Sequence, residues 1–116
     1  MLINFFELKY LIVDSFYLES SRNGYTYEQA SGICYESFAE YVNSDKLEGI
    51  IAISTIIRLK LRHSLQLTQH DILNIKKILF LYSTLDVGEF LNESESEYLE
   101  EDIAIIEYAY KEIEKQ

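Results

Sequence analysis

At 116 residues the chain has room for one domain, residues 1–116, and its 48% apolar side chains are enough to bury a core, which excludes intrinsic disorder. Proline is absent and glycine occurs four times, too few turn residues for a hairpin-rich β fold. Twenty Asp and Glu against ten Lys and Arg give a formal charge of −10, a field that repels nucleic acid and anionic membrane and attracts basic surfaces.

The expected architecture is all-α, a compact single-domain bundle of about five helices. The first is predicted over residues 3–20. Phe5, Leu8, Ile12 and Phe16 recur at helical spacing, with Glu7 and Asp14 on another face. Ser21, Arg22, Asn23 and Gly24 end it with turn chemistry. Residues 1–18 are apolar but interrupted by Glu7, Lys9 and Asp14. They lack a basic leader and a small-residue cleavage site, so neither a signal peptide nor a membrane span is expected, and cytoplasmic residence is the default.

The second helix starts at Thr26, whose pairing with Gln29 has the form of a capping box. Tyr27, Cys34, Phe38 and Tyr41 share one face. Gly32 inside this helix is unfavourable by up to about 1 kcal/mol against alanine, which points to a close helix crossing there. Cys34 is the only cysteine, so no internal disulfide can form, and a packing role in a reducing compartment is expected.

The third helix is predicted over residues 45–63, with Ser44 as its cap and Ile50, Ile53, Ile57 and Leu61 on its apolar face. Ile57, Leu59 and Leu61 also alternate with Arg58, Lys60 and Arg62, a pattern that fits a strand. A lone strand would have no partner, which favours the helix. The fourth follows Thr68, with Asp71 placed to favour its N-terminus and Ile72, Ile75, Leu79 and Tyr82 as its stripe. Asp86, Val87 and Gly88 close it. The fifth is capped by Asn92 with Glu95 or by Ser94 with Glu97. Leu99, Ile103, Ile106, Tyr110 and Ile113 form its packing seam.

Charge is unevenly placed. Ten of the twenty acidic residues fall between residues 89 and 114, opposed only by Lys111 and Lys115. Between residues 58 and 77 five basic residues face Asp71 alone. The two regions either neutralise each other by packing side by side or leave the molecule polar in charge. Opposite the seam of the last helix lie Glu97, Tyr98, Glu101, Asp102, Ile105, Tyr108 and Glu112. Tyrosines among carboxylates suit a partner-binding surface. A bundle that buries this helix on two sides would instead take the aromatics into its core.

No glycine-rich phosphate loop, Gly-x-Ser-x-Gly elbow, His-Glu-x-x-His motif, Cys/His zinc spacing or calcium loop occurs, so no cofactor, metal or catalytic residue is expected. Arg58 and His63, with four residues between them, resemble the Arg and His pair of HEPN-type ribonucleases. That resemblance implies phosphate binding by Arg58 and RNA cleavage assisted by His63. Leu59 stands where the family usually has a polar residue, and the negative charge opposes RNA binding. The plainer reading makes Arg58, Lys60 and Arg62 a solvated basic face, with His63 favoured by the dipole at a helix C-terminus and His70 on the surface of a first turn.

A wider likeness spans roughly Thr26 to Ile113. Ile53-Ser-Thr-Ile-Ile-Arg-Leu-Lys-Leu-Arg-His63 precedes a helix, and the acidic Asn92-Glu-Ser-Glu-Ser-Glu-Tyr-Leu-Glu-Glu-Asp-Ile103 opens the last one. Tyr25-Thr-Tyr-Glu28 and Tyr35-Glu-Ser-Phe-Ala-Glu-Tyr41 precede both. Together these segments resemble the small helical immunity proteins of bacterial polymorphic-toxin systems, including contact-dependent growth inhibition, and among them the third immunity family. The resemblance implies a non-enzymatic inhibitor that covers the active site or substrate path of one cognate toxin domain, often a nuclease with a basic groove. It supplies no functional residues to carry over, so the candidate site remains the stripe from Glu97 to Glu112. A third reading is a non-catalytic adaptor that self-associates through the same stripe, although no homo-oligomer is indicated.

Overall fold

The structure, a computed structural model, describes residues 4–116, so the expected start of the first helix at Ile3 lies outside the described residues. The fold is all-α. Six α-helices follow one another: α1 (Phe5–Tyr17), α2 (Tyr27–Ser37), α3 (Ala39–Val42), α4 (Leu47–Arg62), α5 (Gln69–Thr84) and α6 (Glu93–Glu114). A π-helical turn, Leu18–Arg22, extends α1, and a 3-10 turn, Val87–Glu89, precedes α6.

Local chemistry starts three helices where the sequence places it. Thr26 with Gln29, Thr68 with Asp71, and Asn92 with Glu95 all form reciprocal capping boxes, so Asn92 rather than Ser94 caps α6. α4 differs. Its N-cap is Lys46 and no side chain caps it, while the Ser44 hydroxyl accepts from the Lys46 N–H in the approach loop. The predicted second helix is also shorter than its apolar pattern suggests. It stops at Ser37, and Phe38 and Tyr41 fall in or beside the one-turn α3.

α4 is the axis of the fold and packs against α1, α2, α3, α5 and α6. Its residues from Gly49 to Ile57 are all buried, as are Leu47, Leu59 and Lys60. A helix buried all round needs no polar face, which explains why its sequence resembles a strand as much as an amphipathic helix. Phe5, Leu8, Ile12 and Phe16 of α1 pack into the same core with Ile75 and Ile78 of α5 and Leu99, Ile103 and Ile106 of α6.

The close backbone approach is at Gly49, not at Gly32. Gly32 is exposed, and a Cβ there would meet nothing within 4 Å. A Cβ at Gly49 would instead overlap the Ser44 carbonyl oxygen, where the loop turns into α4. The far end of α4 closes in a Schellman motif: Leu65 N–H donates to Lys60 O at 2.9 Å and Ser64 N–H to Leu61 O at 3.1 Å. Ser64 takes a left-handed φ of 56° there, at a position that favours glycine.

Candidate functional site

The last helix has two sides, and the seam is where periodicity puts it. Leu99, Ile103 and Ile106 are buried, and Tyr110 packs partly against the core. The candidate stripe is less uniform. Glu97, Tyr98, Glu101, Tyr108 and Glu112 are exposed and Ile105 is half-buried. Tyr108 is the most open, with 69% of its surface accessible.

Asp102 does not belong to that surface. It is buried, and its two carboxylate oxygens are separately taken: Lys9 Nζ donates to Oδ2 at 2.7 Å and Arg58 Nε donates to Oδ1 at 3.1 Å. A carboxylate taken out of water needs such partners, and these cations come from α1 and α4. Asp102 therefore ties three helices together. It sits three residues after Leu99 and four before Ile106, which places it on the edge of the seam. Lys9 likewise sits between Phe5 and Ile12 on the buried stripe of α1. A charged residue at a stripe position was the available signal for both.

The basic run of α4 is not the solvated face that its spacing suggests. Lys60 is buried and donates to Asp71 Oδ2 in the first turn of α5. Asp71 also accepts from the Tyr35 hydroxyl at 2.8 Å and from the Thr68 N–H at 2.8 Å. Burial alone would raise the Asp71 carboxyl, but the Lys60, Thr68 and Tyr35 hydrogen bonds outweigh it and hold its pKa below the ordinary carboxylate value. Burial and the adjacent Asp71 charge push the Tyr35 phenol far up. Of the three basic residues only Arg62 is exposed. The basic and acidic regions thus meet at one pair between α4 and α6, Arg58 with Asp102, while most carboxylates of α6 stay outside.

Arg58 and His63 are not brought together. Five residues along an α-helix turn the direction by about 140°, and the two side chains have unrelated surroundings. Arg58 faces Asp102. His63 stacks on Tyr27 with ring centroids 4.1 Å apart, and its Nε2 lies 2.9 Å from the Tyr17 hydroxyl. His70 is exposed, beside Asn74.

A cleft of about 320 Å³ opens between α1, α4 and α6. Lys9, Tyr10 and Val13 of α1 line it with Thr55, Arg58, Leu59 and Arg62 of α4, and Tyr98, Glu101 and Asp102 of α6 complete it. Tyr98, 42% exposed, forms its lip: the ring packs edge-on against Phe5 and Phe6, and Lys9 Nζ lies 5.1 Å from its centroid. The candidate stripe and the cleft therefore share Tyr98 and Glu101. Sequence periodicity marks the α6 half of this junction but not Lys9, Tyr10 or Arg62, whose convergence depends on how α1 and α4 pack. Among the described residues no group of three or more His, Cys, Asp and Glu side chains is placed to hold a metal ion. No helix of the described chain is long and apolar enough to cross a membrane.

No protein-family model, curated protein or solved structure matches this chain.

Proposed function

We propose that this chain is a binding inhibitor, an immunity protein that neutralises a bacterial toxin domain bearing a basic surface, such as a nuclease. One observation carries the reading: the outer face of α6 presents the open Tyr108 ring among exposed carboxylates. Glu97 and Glu101 make no ion pair among the described residues, and Glu112 is held only by the solvated Lys115. Exposed charges of one sign speed the approach of an oppositely charged partner. An exposed tyrosine adds apolar area and a polar tip, the combination enriched where partners anchor. Asp102 takes no part in this surface, because Lys9 and Arg58 already hold both its oxygens.

The test is co-expression with the product of the adjacent upstream gene, followed by co-purification and a growth-rescue assay. Reversal of Glu97 and Glu112 to lysine together should weaken the complex by at least about tenfold, and added salt should weaken the native complex as well. A complex indifferent to both changes would rule out the α6 face. Absence of any complex or rescue would rule out the inhibitor reading with this gene product.

A further inference from the structure

The α6 carboxylates would attract any basic surface, so they do not by themselves choose one partner. The adjacent cleft has different chemistry. In a chain of net charge −10, Lys9, Arg58 and Arg62 converge on it against Asp102 and Glu101, three positive charges to two negative and a local surplus of one. Each Asp102 oxygen already accepts from a cation, Oδ2 from Lys9 and Oδ1 from Arg58. Arg58 has spent only Nε on that contact. Its terminal nitrogens make no hydrogen bond among the described residues, and its side chain keeps 23% of its surface open. Arg62, one helical turn further along α4, is exposed and makes no ion pair among the described residues.

We propose that this cleft is a receptor for one carboxylate, the Asp or Glu side chain of a partner polypeptide. The Asp102 contact fixes the guanidinium of Arg58 by one edge and leaves the two terminal nitrogens as a planar fork. A planar carboxylate meets such a fork with two parallel hydrogen bonds. Arg62 supplies a second cation, and Tyr10 and Tyr98 share the lining. Val13 and Leu59 give the wall an apolar component that suits the methylene stem of an acidic side chain. The surplus of one positive charge is matched by a monoanion, whereas a phosphate dianion would leave the cleft negative. The carboxylate requirement adds the selectivity that the acidic ridge lacks: a cognate partner has a basic surface with one acidic residue at a fixed place in it.

The proposal rests on the partner-binding reading for what delivers the carboxylate, but the cleft can be tested on the isolated protein. The probes are a doubly blocked aspartate, the matching blocked asparagine and inorganic phosphate, each titrated at constant ionic strength. The readouts are the arginine Nε–Hε and tyrosine ring signals in NMR spectra. Blocked aspartate should shift the Arg58, Arg62 and Tyr98 signals saturably, and R62A should weaken that binding roughly fivefold without unfolding the chain. A second variant, R58K, keeps the charge but removes the fork and should weaken it at least as much. No saturable response to aspartate, or an equal response to asparagine or to phosphate, overturns the proposal. Binding unaffected by both variants also overturns it. These outcomes are independent of charge reversal at Glu97 and Glu112, neither of which lines the cleft, so the cleft and the ridge can fail separately.

Discussion

Lys9 and Asp102 are 93 residues apart in the chain, yet Lys9 Nζ stands 2.7 Å from Asp102 Oδ2, and Arg58 Nε holds the other oxygen at 3.1 Å. The neighbouring Glu101 is exposed and has no such partner among the described residues. Two adjacent carboxylates on one helix therefore have opposite roles. Removing the charge of Asp102 leaves buried Lys9 without its anion, and D102N should destabilise the fold by about 3 kcal/mol. E101Q should stay within roughly 0.5 kcal/mol of the native protein. Urea unfolding followed by circular dichroism compares the two; equal effects would contradict the joining role given to Asp102.

That contrast also shows what the sequence makes legible. The Thr26–Gln29 box is legible, and Asn92–Glu95 is one of the two caps that the sequence offers for α6, because each box needs only residues three apart. The stripes of α1 and α6 are also legible, since helical periodicity is local. Arg58 and Lys60 look like a solvated face because their partners, Asp102 and Asp71, lie 44 and 11 residues away. Asp102 looks like a surface residue because periodicity gives its direction but not the width of the buried sector. Gly32 and Gly49 show the same limit: both are glycines in helices, and only the path of the preceding loop gives Gly49 its close contact.

The Lys60–Asp71 pair should dominate the acid side of the stability profile. The folded-state pKa of Asp71 is lowered, so its contribution is present above the unfolded carboxylate value, about 3.9, and is lost as pH falls through the lower folded value. Unfolding midpoints measured between pH 6 and pH 2 should fall most steeply below about pH 4. In D71N that limb should flatten, and the variant should already be destabilised at pH 6 by about 3 kcal/mol, because Lys60 remains buried without a counter-charge.

The two ends of α4 should respond in opposite senses to changes of a single methyl or hydroxymethyl group. At Gly49 an added Cβ overlaps the Ser44 carbonyl, so G49A must displace the loop and should be destabilising by at least about 2 kcal/mol, despite alanine's better helix propensity. At Ser64 the backbone is left-handed, so S64G relieves a strained φ and should stabilise by roughly 0.5 kcal/mol after the entropy of the unfolded chain is counted. Thermal melts of both variants test the pair. Stabilisation by G49A would refute the close approach, and destabilisation by S64G would refute the strain.

Cys34 offers a probe of how the core opens. It is buried, and burial pushes its thiol from 9.0 up to about 11, while Sγ donates to the Ile12 carbonyl at 3.8 Å. The thiolate is the reactive form, so the native thiol is disfavoured both by access and by charge. At pH 8 a disulfide reagent should react slowly with the native protein, at a rate set by opening of the α1–α2 contact, and at the ordinary free-thiol rate in urea. Raising the pKa in the folded state means that Cys34 contributes stability below pH 9.0, and that this is lost as pH rises from 9.0 towards about 11. The Tyr35 phenol, also raised, begins to withdraw its own contribution near its ordinary value of 10.0. C34A should therefore remove the earlier part of the alkaline decline, and Y35F the later part. Fast labelling of native Cys34 would show instead that the α1–α2 contact opens readily, and the assignment of this thiol to a closed core would fail.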